Sequence, residues 1–172
     1  MKTKNLALIA VIMAAVFFTG LLAGSRMDLG IEGMAIRENQ IPQLSTEGFS
    51  KADVNVSTYI IYLTSGCYRL SMVTNDVQTD SIEKGIHNIT DVRPTTHDMI
   101  NLIMMNYNIN PIMVKIEYFI DGTYYSKTLF RQGNNILNLD SRPSDSIAIA
   151  VRAGIPIYVK NDLLEKLGEK IC

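Results

Sequence analysis

The 172-residue sequence is short of the residues on which many catalytic chemistries depend. It has two histidines, His87 and His97, which excludes a three-histidine zinc site. Its two cysteines, Cys67 and Cys172, are too few for a disulfide framework; one bridge could join them, and nothing in the sequence decides whether it forms. No glycine-rich phosphate loop, G-x-S-x-G elbow or C-x-x-C pair is present. Basic charge is lacking too. The formal net charge is −1, and beyond the first 24 residues 14 basic side chains face 17 acidic ones. Any nucleic-acid partner would need a local patch or a bridging metal, because there is no global basic footprint.

What the chain does have is a long apolar run. Lys2 and Lys4 precede Leu6–Gly24, nineteen residues without a charge. As a helix at ~1.5 Å per residue this run spans about 28 Å, close to the hydrocarbon thickness of a bilayer. It exceeds the ~7–15-residue apolar core of a cleaved signal peptide, and no A-x-A site follows it. Leu22-Ala23-Gly24-Ser25 has the spacing of a lipoprotein box, but Ser25 stands where the lipidated cysteine would be. The expectation is an uncleaved signal-anchor over residues 1–24, with the leading lysines inside and the remaining chain outside the cytoplasm. Residues 25–51 carry Gly30, Gly33 and Pro42 without a sustained period and read as a tether, with a short strand near Ile31–Ile36.

A folded domain is expected over residues 52–172. Val54, Val56 and Tyr59–Leu63 read as strands, Ser65-Gly66 as a hairpin turn, and Tyr68–Thr74 as the returning strand. Asp76–His87 has apolar residues at helical spacing. Thr95 and Asp98 form a capping-box-like pair ahead of a helix to Tyr107, whose Met99, Ile100, Leu102, Ile103, Met104 and Met105 are read as irregular core filling. Ile112–Ile120, the Asp121-Gly122 turn and Thr123–Phe130 make a second hairpin, Asn134–Leu139 a further strand, and Asn161–Gly168 a closing helix. Hairpins with intervening helices imply an α+β fold, a mixed β-sheet covered by helices and preceded by one N-terminal transmembrane helix.

The densest stretch is Asp140–Val159. Pro143 suits the first turn of a helix, Gly154 its end, and Ile155–Val159 a buried strand. Its polar turn contributes Asp140, Arg142 and Asp145, and an earlier turn contributes Arg93, His97 and Asp98. Carboxylates such as Asp140 and Asp145 could hold Mg²⁺ or Mn²⁺ for phosphodiester hydrolysis, an arginine could neutralise phosphate, and His97 could move a proton. A structural reading stands beside this one. Asp98 and Asp145 lie in first helical turns, where a carboxylate caps, and Arg93 and Arg142 could anchor turns by pairing with them. His97 at a helix N-terminus is harder to explain structurally, since that position disfavours imidazolium. Asn55-Val56-Ser57 and Asn88-Ile89-Thr90 match the glycosylation sequon, a triplet common by chance.

Three motifs carry a family resemblance. Asp140, Arg142, Pro143, Ser144, Asp145, Ile147, Ala148, Ala150, Arg152 and Pro156–Val159 fall on the pattern D-x-R-P-S-D-A-I-A-L-A-x-R-x-x-x-P-I-Y-V, with Ser146 where alanine is usual. Arg93–Asp98 matches R-P-x-T-H-D, and Asp121–Tyr125 matches D-G-x-x-Y. In this order and spacing the chain, from about Ala52 to Gly168, closely resembles the bifunctional nuclease domain family. The resemblance implies a self-associating α+β domain that cleaves DNA and RNA with Mg²⁺ or Mn²⁺. Carried over residue by residue, its matching positions are Arg93, Thr96, His97, Asp98, Asp140, Arg142, Ser144 and Asp145. Among them His97, Asp98, Asp140, Arg142 and Asp145 are the catalytic candidates, Arg93, Thr96 and Ser144 the substrate-binding candidates, and Asp140 and Asp145 the candidate metal ligands. One departure bears on activity. Where the family has a Gly-x-x-Glu-Ala segment, this chain has Asn75–Thr79, and Gln78 replaces the glutamate. The sequence therefore supports two readings, a membrane-anchored nuclease and a catalytically inactive binding or assembly module of the same fold.

Overall fold

The computed structural model describes residues 42–172. The expected transmembrane segment over Leu6–Gly24 and the tether as far as residue 41 lie outside the described residues. Among the described residues no helix is long and apolar enough to cross a membrane.

A 3₁₀ turn, Pro42–Leu44, leads into β1 (Phe49–Ser57), β2 (Ile60–Ser65) and β3 (Tyr68–Val73). Two helices follow, α1 (Asp76–Ile86) and α2 (Thr96–Asn106), and then β4 (Asn110–Ile120), β5 (Thr123–Gln132) and β6 (Asn135–Ser141). The signature stretch supplies α3 (Pro143–Ala153) and β7 (Ile157–Lys160), before α4 (Asn161–Leu167) and β8 (Glu169–Lys170) close the chain. β1 begins at Phe49, so part of the expected tether is strand.

Two-residue links join the hairpin strands, which is why turn chemistry fixes their register. At the β4–β5 turn both central residues have positive φ, 50° at Asp121 and 79° at Gly122, the backbone a tight hairpin requires. Among the described residues the strands form one eight-stranded sheet in the order β6-β5-β4-β7-β1-β2-β3-β8. Every pair is antiparallel except β4 with β7. The short β7, fully buried at Val159, therefore joins two antiparallel meanders.

The main core gathers Ile61, Leu63, Leu70, Val114 and Ile116 from the strands against Ile82 of α1, Ile147 of α3 and Leu164 of α4. At roughly 1.5–3 kcal/mol per buried large aliphatic side chain, these contacts dominate the stability of the domain. Gly85 lets α1 come close to α3: a Cβ there would meet Val151 Cγ2 at 2.5 Å and Arg152 Nη1 at 2.9 Å. Ser146, fully buried in α3, is the hub of a hydroxyl cluster with Ser126 at 2.8 Å, Thr128 at 3.0 Å and Ser141 at 2.6 Å. The hydroxyl in place of the usual alanine is thus fully partnered.

The reading of α2 as core filling is overturned. Only Met104 of this helix is buried, packing with Phe130 and Ile149. Met99, Leu102, Ile103 and Met105 are each half exposed or more. The helix is apolar on more faces than the domain can cover. The two cysteines do pair, with Cα atoms 5.2 Å apart.

Candidate functional site

The first turn of α2 reaches Ser81 of α1 through His97 and both ends of α3 through Asp145 and Arg152, and there the charged candidates separate into two groups. The first is closed and structural. Thr95 caps α2, and Asp98 completes a capping box, its Oδ2 accepting from the Thr95 N–H (2.8 Å) and hydroxyl (2.7 Å). Its other oxygen, Oδ1, accepts from Arg152 Nε at 2.6 Å. Burial alone would raise the Asp98 carboxyl, but these hydrogen bonds outweigh it and hold its pKa at about 2. Both oxygens being engaged, Asp98 has the structural role that was one of its two readings. Its partner is Arg152, however, and Arg93 is exposed on the loop before α2.

The second group is open to solvent on one side. Arg142 is the N-cap residue of α3 and makes no side-chain capping bond; its guanidinium turns onto Asp145, Nε to Oδ2 at 2.8 Å and Nη2 to Oδ1 at 3.3 Å. His97 Nε2 lies 3.5 Å from Asp145 Oδ1, and its Nδ1 lies 2.9 Å from Ser81 Oγ. Burial lowers the His97 pKa, only partly opposed by Asp145, so the imidazole is neutral at pH 7. The two arginines differ in freedom: the Arg142 side chain is 72% exposed and Arg152 only 6%. Arg142 can exchange its carboxylate for another anion, whereas Arg152 is locked.

Arg142 also lines a cleft of about 410 Å³. Asn75 and Gln78 at the start of α1 form one wall, Thr123 and Tyr124 at the β4–β5 turn another, and Arg142 and Ser144 at the start of α3 a third. Residues from two of the motifs, together with the departing Gln78, thus meet at one opening. The Gln78 side chain is fixed by the Thr74 hydroxyl, and burial raises the Tyr124 phenol.

The remaining candidates stay apart. Asp140, on edge strand β6, is 69% exposed and faces Lys127 across the sheet at 3.9 Å. Thr96 is exposed in the first turn of α2, and Ser144 is buried beside the cleft. Among the described residues no three His, Cys, Asp or Glu side chains converge to hold a metal ion. Asp145 is already bound by an imidazole and a guanidinium. This donor set does not fit a three-ligand Mg²⁺ or Mn²⁺ centre.

Sequence reasoning passed over Ser81 and Arg152. For Arg152 a signal existed: an arginine following the apolar run Ile147–Val151 needs a buried acceptor. Ser81 gave none.

Comparison with known proteins agrees with the motifs. The chain is 37% identical over 76 residues to an uncharacterised protein of Mycobacterium tuberculosis, covering 44% of each chain. It is 27% identical over 105 residues to bifunctional nuclease 1 of Oryza sativa subsp. japonica, covering 59% of this chain and 32% of that protein. It therefore spans less than half the length of either relative. The bifunctional nuclease domain pattern matches residues 60–171, most of the folded region, and the chain belongs to that family.

Proposed function

We propose that the domain is a phosphodiesterase acting on nucleic acid, with the backbone phosphate drawn to Arg142 at the mouth of the cleft. The observation that carries this reading is the double position of Arg142, which lines the cleft and pairs with Asp145 in the same conformation. An incoming phosphate competes for the exposed guanidinium, matching its planar fork. Departure of the guanidinium frees one oxygen of Asp145 beside a neutral imidazole, leaving a carboxylate able to act as a general base. The bifunctional nuclease name of the rice relative supports the substrate class. The test is cleavage of single- and double-stranded DNA and RNA by the full-length protein in detergent, with Mg²⁺, Mn²⁺ or EDTA, beside matched Arg142→Ala and Asp145→Asn proteins of unchanged circular dichroism. Cleavage lost in both variants supports the reading; equal traces in all three proteins refute it. The EDTA arm decides whether a metal takes part.

A second reading, an assembly module, is favoured by the exposed apolar face of α2. Met99, Leu102 and Ile103 lie at i, i+3 and i+4 and would bury well against a second copy. Sedimentation of the wild type and an Ile103→Glu variant tests it, dissociation of the variant being the expected result. For location, the Cys67–Cys172 bridge supports a domain held outside the cytoplasm by its N-terminal apolar run, since disulfides persist in oxidising compartments. Protection from a membrane-impermeant protease in intact cells would refute that placement.

A further inference from the structure

The hydrogen bonds around His97 have a direction, and it begins at Arg152. Guanidinium groups only donate. Arg152 Nη1 donates to the Ser81 carbonyl at 2.9 Å and the Ala148 carbonyl at 3.0 Å, Nε to Asp98, and Nη2 to Ser81 Oγ at 3.3 Å. Ser81 Oγ is therefore an acceptor toward Arg152 and keeps one proton of its own. His97 Nδ1, at 2.9 Å, is the partner for that proton. The ring then bears its hydrogen on Nε2, facing the Asp145 carboxylate, which can only accept. The opposite tautomer would aim a nitrogen lone pair at that carboxylate. It would also leave Ser81 accepting twice with its own proton unplaced.

The charged groups around the ring are Asp145 and Arg152 of α3 and Asp98 of α2, with Ser81 contributed by α1 and Arg142 reaching the ring only through Asp145. Protonating His97 would put a cation at the N-terminus of α2, where the helix dipole opposes it. It would also reverse the Ser81 hydroxyl against the locked guanidinium.

We propose that Arg152 is a positioning residue that, through Ser81, holds His97 as the neutral Nε2–H tautomer, so that His97 donates to Asp145 and Asp145 is the group that accepts the proton in hydrolysis. This deepens the phosphodiesterase reading and rests on it for the chemical step. In that step the oxygen of a water bonds to phosphorus and the water's proton passes to Asp145. The bond from phosphorus to the leaving oxygen breaks, and the leaving oxygen takes a proton from solvent. His97 keeps its own proton throughout and orients the carboxylate. In this reading the proton goes to Asp145 and not through His97, the proton carrier expected from the sequence.

The tautomer is read without any activity, by nitrogen–proton correlation spectra of ¹⁵N-histidine-labelled full-length protein in micelles, with His87→Gln to assign the two rings. The wild type should show Nε2 protonated and Nδ1 bare at pH 7. Ser81→Ala and Arg152→Lys should each raise the His97 titration midpoint by about one unit, because the bond stabilising the bare Nδ1 is lost or misaligned. A protonated Nδ1 in the wild type, or midpoints unmoved in both variants, overturns the proposal. Activity then separates the roles. His97→Gln, which retains an N–H donor, should keep at least tenfold more kcat than His97→Ala, while Asp145→Asn should lose nearly all of it. Equal loss in the two His97 variants makes His97 the base and overturns the assignment to Asp145. Absence of cleavage in every protein refutes the hydrolytic reading and Asp145's part in it, and the spectra still decide the tautomer.

Discussion

Breaking the Cys67–Cys172 disulfide is expected to destabilise the domain by about 3–5 kcal/mol. The bridge links residues separated by 105 positions, and closing a loop of that size removes about 4.7 kcal/mol of chain entropy from the unfolded state. The folded state should hardly notice the loss, because other contacts hold the C-terminus. β8 pairs with β3, the Ile171 N–H donates to the Cys67 carbonyl at 2.9 Å, and Arg69 meets Glu169 at 2.7 Å. These keep the chain end in place once the sulfurs separate, so the change falls almost wholly on the unfolded ensemble. With a urea slope of roughly 2 kcal/mol per molar, the midpoint should drop by about 2 M. The assay is urea unfolding of the full-length protein in detergent, followed by circular dichroism, with and without reductant and beside a Cys67→Ala, Cys172→Ala protein. Alkylation followed by mass measurement verifies that both thiols are free. A midpoint within about 0.3 M of the oxidised protein, with both thiols alkylated, would refute the loop-entropy reasoning.

Acid should weaken the domain in two windows. Burial lowers the His97 pKa, so the unfolded chain binds its proton first and stability declines as pH falls below about 6.5. The depressed Asp98 carboxyl contributes on the order of 2 kcal/mol above pH ~4, lost as pH falls toward its folded value of about 2. Melting temperatures between pH 2 and 7 check both, and Asp98→Asn should flatten only the lower window. Gly85→Ala should cost about 1–2 kcal/mol despite alanine's better helix propensity, because its methyl must displace Val151 and Arg152; a raised melting temperature would contradict this. Ser146→Ala should cost only about 1 kcal/mol in a urea titration, since Ser126 still donates to the Ser141 carbonyl and Thr128 still meets the Ser141 hydroxyl.

Local chemistry made much of this fold legible. The Asp121-Gly122 turn, the Thr95–Asp98 cap, and Pro143 with Gly154 at the ends of α3 each act within a few residues, and each is found where such chemistry places it. The pairing of Asp98 with Arg152 was not legible, because it joins residues 54 apart, and Arg93 stood closer in sequence. Asp140 and Asp145 misled for the opposite reason. They are neighbours in sequence, yet a strand end and a helix start send their side chains to different partners, Lys127 and Arg142. The exposure of α2 could not be read from its composition, since an apolar helix looks the same whether its own domain or another surface covers it.

The position of β7 has a consequence for how the protein is made. On a ribosome the β1–β3 meander emerges first, but the inner edge of β1 has no partner until Ile157–Lys160 arrives more than a hundred residues later. The β4 edge waits for the same four residues. The hairpins can form locally during synthesis, but the sheet closes only once its central strand has emerged and inserted between them. Until then two unpaired strand edges are exposed together. That interval is when a nascent chain of this kind most needs a chaperone, and when truncation just before Ile157 would release two half-sheets prone to aggregate.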